Sequence, residues 1–282
     1  MNTLFKTCLA ATVMFGSLLS ISALTPASAA APSDDLKGKN VVLVHGAFAD
    51  GSSWDKVIPL LEAKGLHVVA VQNPLSSLDG DVAATRRVIE QQDGPVILVG
   101  HSWAGTVITQ AGNDDKVKAL VYVAAFAPQK DQSISDILKG KPAPVWAAAL
   151  QKDSAGYLTL SSDAIIHDFA QDLPVAQARL VAATQGPWFS GCMDDKVTQA
   201  AWQSKPSWFV VTGKDRMIPP QLQEAMTQRI GATVVKVDAS HAAMLSKPAD
   251  AAAAIIEAVR SVKQLAGQAA RQPQYEKTAG RS

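Results

Sequence analysis

The chemistry this chain can do begins with one serine. Ser102 lies in the run Val96-Ile97-Leu98-Val99-Gly100-His101-Ser102-Trp103-Ala104-Gly105. Its apolar, β-branched start predicts a buried strand, and Thr106-Val107-Ile108-Thr109-Gln110 can run on as a helix. A strand that turns at once into a helix with serine at the apex is a nucleophile elbow. The apex residue is held in strained φ/ψ, at a cost of about 1–3 kcal/mol, and only small residues fit two places before and after it. Gly100 and Ala104 occupy those places, and Gly105 follows where the usual pattern has already placed its glycine. Such a turn serves acyl transfer: it holds the hydroxyl clear of its own backbone, with the Trp103 amide aimed where a carbonyl oxygen becomes negative. A serine also needs a base to take its proton and a third group to orient that base. The candidates for the base are His45, His67, His101, His167 and His241; an imidazole, with an ordinary pKa of about 6.5, suits proton transfer near neutrality.

Those groups need elements to place them. Apolar runs at 41–44, 67–71, 96–99, 119–124, 207–212 and 232–237 predict strands. Helical spacing at 53–63, 81–92, 221–229 and 249–265 predicts helices between and after them. The alternation argues for a parallel sheet covered on both faces. It breaks between 129 and 204, where Pro142, Pro144, Pro174 and Pro187 punctuate short helical pieces and no buried strand stands out. Trp146, Tyr157, Phe169, Trp188 and Phe189 fall in this insertion, as pocket lining or as its own core. The expected fold is α/β: a doubly wound, mostly parallel sheet of about six strands with an inserted helical cap at about 129–204.

The chain has 282 residues, 48% of them hydrophobic, and a formal net charge of +1, enough for one large core over 30–267. So balanced a charge gives no support for nucleic-acid binding or an electrostatic membrane patch. The N-terminus differs. Lys6 is the only charge before Asp34, 9–24 are apolar or small, and Ala27-Ser28-Ala29 fits a cleavage site. Residues 1–29 therefore read as a secretory signal peptide of a periplasmic or secreted protein, too short for a membrane span. Its removal takes Cys8 away and leaves Cys192 alone, so no intramolecular disulfide forms. Residues 268–282 are polar and aperiodic and read as a disordered tail.

Gly100-His101-Ser102-Trp103-Ala104-Gly105, with Leu43-Val44-His45-Gly46-Ala47 upstream, resembles the α/β-hydrolase superfamily over roughly 40–262. The Ala47 and Trp54 context is similar to the small-esterase branch that includes plant methyl esterases and hydroxynitrile lyases. The resemblance implies a triad in chain order Ser, acid, His, each at the C-terminal end of a strand. Ser102, Asp215 and His241 satisfy both order and placement. His241 becomes the base and Asp215 the acid that fixes its tautomer. An acid after the fourth strand is the competitor, but Ala125-Phe126-Ala127 stands there and the first carboxylate is Asp131; Asp238 is too close to His241. A structural alternative for Asp215 is capping the helix after Pro219-Pro220. The resemblance puts the second oxyanion donor on the backbone of Ala47, beside that of Trp103. Phe48 and the Trp103 side chain are candidate pocket walls. His45 and His101 read as shaping or packing residues, and His67 and His167 as structural.

The reaction this implies is hydrolysis of a small carboxylic ester through an acyl-enzyme, with no cofactor and no metal, the ester as small-molecule partner, and neither nucleic acid nor, once the signal is removed, membrane. Gly46 to Gly51 has P-loop glycine spacing, but Ser52 replaces the lysine, and no His/Cys cluster has metal-ligand spacing. A cofactor-free perhydrolase or haloperoxidase shares every catalytic residue. Hydroxynitrile lyases of the resembled branch carry Thr at the place of Gly46 and Lys after the catalytic His, where this chain has Ala242. A non-catalytic small-molecule binding protein on the same scaffold is the alternative of another class.

Overall fold

The computed structural model describes Leu36 and residues 39–271, with side chains as far as Val262. The expected signal peptide lies outside the described residues, as does the tail from 272 onward.

The chain opens with β1 (Asn40–Val44), a 3-10 turn at Gly51–Trp54, α1 (Ile58–Glu62), β2 (His67–Val71), α2 (Leu78–Glu90), β3 (Val96–His101), α3 (Ala104–Ala111) and β4 (Val117–Val123). The helix expected over 53–63 is split. Pro59 enters at the first turn of α1, where its missing N–H is harmless, so the helix starts late. Ser77 accepts a hydrogen bond from the Gly80 amide and Asp79 and Asp81 sit in the first turn, which is why α2 begins earlier than its apolar spacing alone indicates.

The insertion holds α4 (Ile134–Leu138), β5 (Leu150–Lys152), β6 (Tyr157–Leu160), α5 (Ser162–Ala164), a π-helical turn at Ile165–Phe169, α6 (Val175–Thr184) and β7 (Trp188–Phe189). The cap is therefore not purely helical: β5, β6 and β7 form a small antiparallel sheet. Strands of two to four residues leave too short an alternation to be read from sequence.

The main fold then resumes with β8 (Ser207–Thr212), α7 (Pro220–Ile230), β9 (Thr233–Val237), α8 (Ala243–Ser246) and α9 (Pro248–Arg271). Gly231 ends α7 in the left-handed region, at φ +63°. Helix α9 runs six residues beyond its expected end at 265 and takes in the first residues of the expected tail, 268–271. Its Ala and Gln residues are good helix formers that tolerate Gly267.

The main sheet is parallel with order β2-β1-β3-β4-β8-β9. β1, β3 and β8 are wholly buried and β4 nearly so, while the edge strands β2 and β9 are partly exposed. Helices α2 and α3 pack side by side, and α9 lies on β3, β4 and β8. From β1 the chain goes to β2 on one side and returns to β3 on the other, so the order reverses between β1 and β3. A crevice opens beyond the strand ends at such a switch point. There the turn after Val44 meets the turn after His101, with Val44 paired to Gly100. Among the described residues no helix is long and apolar enough to cross a membrane.

Candidate active site

The elbow forms as expected and explains its altered last residue. Ser102 has φ +55°, the left-handed region that a non-glycine residue enters only when its surroundings hold it there. Its amide donates to Val123, and its carbonyl accepts from the amides of Gly105 and Phe126. A β-carbon at Gly100 would come within 2.6 Å of the Ala104 carbonyl oxygen, so position 100 admits only glycine. Position 104 takes a methyl. The crowded place is Gly105, where a β-carbon would drive into the backbone carbonyl of Phe126. Since a main-chain carbonyl and the Ala125 β-carbon cannot swing aside as a flexible side chain would, Gly105→Ala should destabilise the fold by about 3 kcal/mol. Chemical denaturation checks this, and a loss below about 1 kcal/mol would contradict it.

The acid and the imidazole meet although they are 26 residues apart. His241 Nδ1 and Asp215 Oδ2 are 2.8 Å apart, both side chains inaccessible to solvent. The carboxylate is saturated. Oδ2 also accepts from Thr212 Oγ1 and Gln223 Nε2, and Oδ1 accepts from the amides of Met217 and Ile218, each at 2.8 Å. Five donors on two oxygens are the complement of an ionised carboxylate. With Nδ1 occupied by Asp215, proton transfer by His241 must run through Nε2. Helix α7 starts at Pro220 without any side-chain cap, so the capping role considered for Asp215 is not the one it has.

Ser102, Asp215 and His241 line one cavity of about 690 Å³, together with Ala47, Phe48 and Trp103. Trp146, Phe169 and Trp188 of the cap also line it; Tyr157 and Phe189 do not, and instead pack on each other with ring centroids 5.4 Å apart. Phe48 combines wall and packing roles: at φ +57° it turns into the cavity lining and meets Trp188 edge-on at 5.9 Å. Ala47 is buried, and among the described residues neither its amide nor that of Trp103 donates a hydrogen bond. Buried amides almost always have partners, so two orphans beside the Ser102 hydroxyl could receive an oxyanion.

The other histidines serve structure. His45 receives the Asn73 amide on Nε2 and bonds the Gly46 carbonyl through Nδ1; burial lowers its pKa from the ordinary value. His67 bonds Asn40 and Gln92, away from the cavity. His101 does more than its sequence position indicated. Its Nε2–H donates to the His241 carbonyl at 3.0 Å, and its ring lies 4.6 Å from the His241 ring. Burial, reinforced by nearby His241, holds it neutral well below its usual range. It is thus a support for the loop of His241 and not a competing base. Cys192 is buried, and desolvation pushes its thiol up to about 12, so it is inert.

Three supporting residues escaped the sequence reading. Thr212 and Gln223 look like an ordinary strand end and helix residue, and only the β8–α7 turn brings them to Asp215. Asp81 looks like an acidic residue at a helix start. It is in fact fully buried, accepting Trp103 Nε1–H at 2.7 Å and the Leu75 amide at 2.8 Å. Desolvation raises its pKa to about 6, against the opposing pull of those two hydrogen bonds. With the folded pKa above the unfolded value, the native state holds the proton more tightly, so stability falls as pH rises from about 4 to about 6. The shift corresponds to at most about 3 kcal/mol. Denaturant unfolding of the wild type relative to Asp81→Asn should show this decline between pH 4 and 6; a difference independent of pH would refute it.

A family model described as the alpha/beta hydrolase family matches residues 41–255, and the chain belongs to that family. Within it, the chain is similar to methylesterase 1 of Arabidopsis thaliana, at 26% identity over 77% of this chain and 94% of that one. It is similar also to salicylic acid-binding protein 2 of Nicotiana tabacum, at 28% identity over 78% and 97%. Among solved structures, a pyrethroid hydrolase from Sphingobium faniae shares the fold with a TM-score of 0.69 and 20% identity, over 80% of this chain and 99% of that one.

Proposed function

We propose that this chain is a serine hydrolase of small carboxylic esters, with Ser102 as nucleophile, His241 as base and Asp215 as the residue that orients it. The observation that carries the reading is the buried His241–Asp215 pair sharing one cavity with a serine held at positive φ. His241 takes the Ser102 proton through Nε2 as the oxygen attacks the acyl carbon. The tetrahedral oxyanion is received by the amides of Ala47 and Trp103. His241 then protonates the leaving alcohol, and water, activated by the same imidazole, releases the acid. The predominantly apolar walls favour an apolar or aromatic ester, and the relatives, a methylesterase and a pyrethroid hydrolase, agree with ester cleavage. The position of Gly46 favours hydrolysis over cyanohydrin cleavage. A β-carbon there would come within 2.7 Å of Ser102 Cβ, so the threonine of the lyases has no room.

A fluorophosphonate probe and p-nitrophenyl acetate test this reading. Expected are a mass increment on the peptide holding Ser102 and turnover lost in step with labelling. Turnover that persists in fully labelled protein overturns it, and so does an absence of both labelling and turnover, which would leave a binding protein on this scaffold. Export is part of the proposal, on the strength of the N-terminal sequence. Cleavage after Ala29 leaves a mature chain starting at Ala30, which N-terminal sequencing of the exported protein reads; a retained N-terminus refutes it.

A further inference from the structure

The cap does more than roof the cavity. Its π-helical turn, closed by the Ala170 amide on the Ile165 carbonyl, leads into residues that reach both loops carrying the imidazole and its acid. Turns of this kind are rare and occur frequently at functional sites. Asp215 is bracketed: on one side Gln171 Nε2 donates to the Lys214 carbonyl at 2.6 Å, on the other Arg216 Nη1 donates to the His167 carbonyl at 2.7 Å. His241 is bracketed in the same way. The Ser240 amide donates to Asp172 Oδ2 at 2.8 Å, and the Ala242 amide donates to the Phe169 carbonyl at 3.2 Å. The Phe169 ring meets the His241 ring edge-on, 4.9 Å between centroids. Each neighbour of each of the two residues is thus tied to one short stretch of cap, 167–172. Gln171 makes its bond while its own Oε1 is buried with no partner, an arrangement that carries an energetic cost.

We propose that residues 167–172 are a clamp that positions His241 and Asp215, with Gln171 and Asp172 as its positioning residues. The proposal rests on the serine hydrolase reading above. In it, the cap sets the aim of the imidazole as well as the shape of the cavity, because the residue on either side of each of the two is held from the cap. Neither Gln171 nor Asp172 lines the cavity, so changing them removes no substrate contact. Their effect must then fall on kcat, since a small misplacement of a catalytic group is costly in rate.

The test compares Gln171→Ala/Asp172→Ala, each single variant and Asp172→Asn with the wild type, using p-nitrophenyl acetate and counting active sites with the fluorophosphonate. Per titrated site, the double variant should lose about tenfold in kcat, with a matching fall in labelling rate and KM within about twofold. Asp172→Asn should recover most of what Asp172→Ala loses, since its amide oxygen still accepts from Ser240. If the double variant does not fold, the single variants give the same reading at smaller amplitude. An unchanged kcat per site, with only the titrated fraction or Tm reduced, means the contacts merely support the fold and overturns the clamp. A change confined to KM does so too, as does Asp172→Asn falling as far as Asp172→Ala. Wild-type protein that neither turns over nor labels brings down the hydrolase reading and the clamp with it, a result separate from all of these.

Discussion

Ser102→Ala is expected to lower kcat for p-nitrophenyl acetate by about five orders of magnitude and to abolish labelling by a fluorophosphonate. Losses of this size follow when a triad loses its nucleophile, because base and acid then have no oxygen to activate; what remains over water comes from the oxyanion donors and binding. The same variant should melt within a few degrees of the wild type. Among the described residues the Ser102 hydroxyl makes no hydrogen bond within the protein, and alanine meets the same backbone strain at φ +55°. Rate and stability therefore separate cleanly. Turnover within tenfold of the wild type, measured on protein purified away from host esterases, would remove Ser102 from the mechanism.

Asp215→Asn should cost about four orders of magnitude in kcat and should also destabilise the fold. An amide can present only one acceptor oxygen. If its NH₂ takes the place of Oδ2, it faces His241, Thr212 and Gln223; if it takes the place of Oδ1, it faces two backbone amides. Either orientation sets donors against donors in a buried site. The cost is about 2–4 kcal/mol of stability, and the imidazole loses the partner that fixes its tautomer. The measurement is kcat per folded protein beside a denaturant titration. A variant with normal stability and activity within tenfold would show that Asp215 does not orient His241. A variant that is destabilised yet fully active at low temperature would assign Asp215 to the fold alone.

The linear chain determined a good deal. Runs of β-branched residues separated by amphipathic helical stretches are enough to require a parallel sheet covered on both faces, since such strands have no solvent-facing side. The elbow was legible because its demands are local: a strand, a serine, small residues at fixed offsets, a helix. Ser102 and the Trp103 amide follow from that pattern. Asp215, His241 and Ala47 came from resemblance to a family order; in the fold His241 and Asp215 form a buried pair, and all three line one cavity with Ser102.

Contacts made across long separations were decided only by the tertiary structure. Thr212 and Gln223 have no pattern that marks them as partners of Asp215, since a hydrogen bond between a strand end and a helix depends on how the intervening turn closes. Asp81 carries the chemistry of a surface helix start, yet packing of α2 against α3 buries it beneath Trp103. The cap shows the limit most plainly. Its strands are too short for periodicity to declare them, and each hydrogen bond from its residues 167–172 to the loops of Asp215 and His241 uses a main-chain atom on at least one side. Side-chain patterns record which face of an element is buried; where one element's main chain touches another's, the sequence holds no mark, and the folded chain alone supplies it.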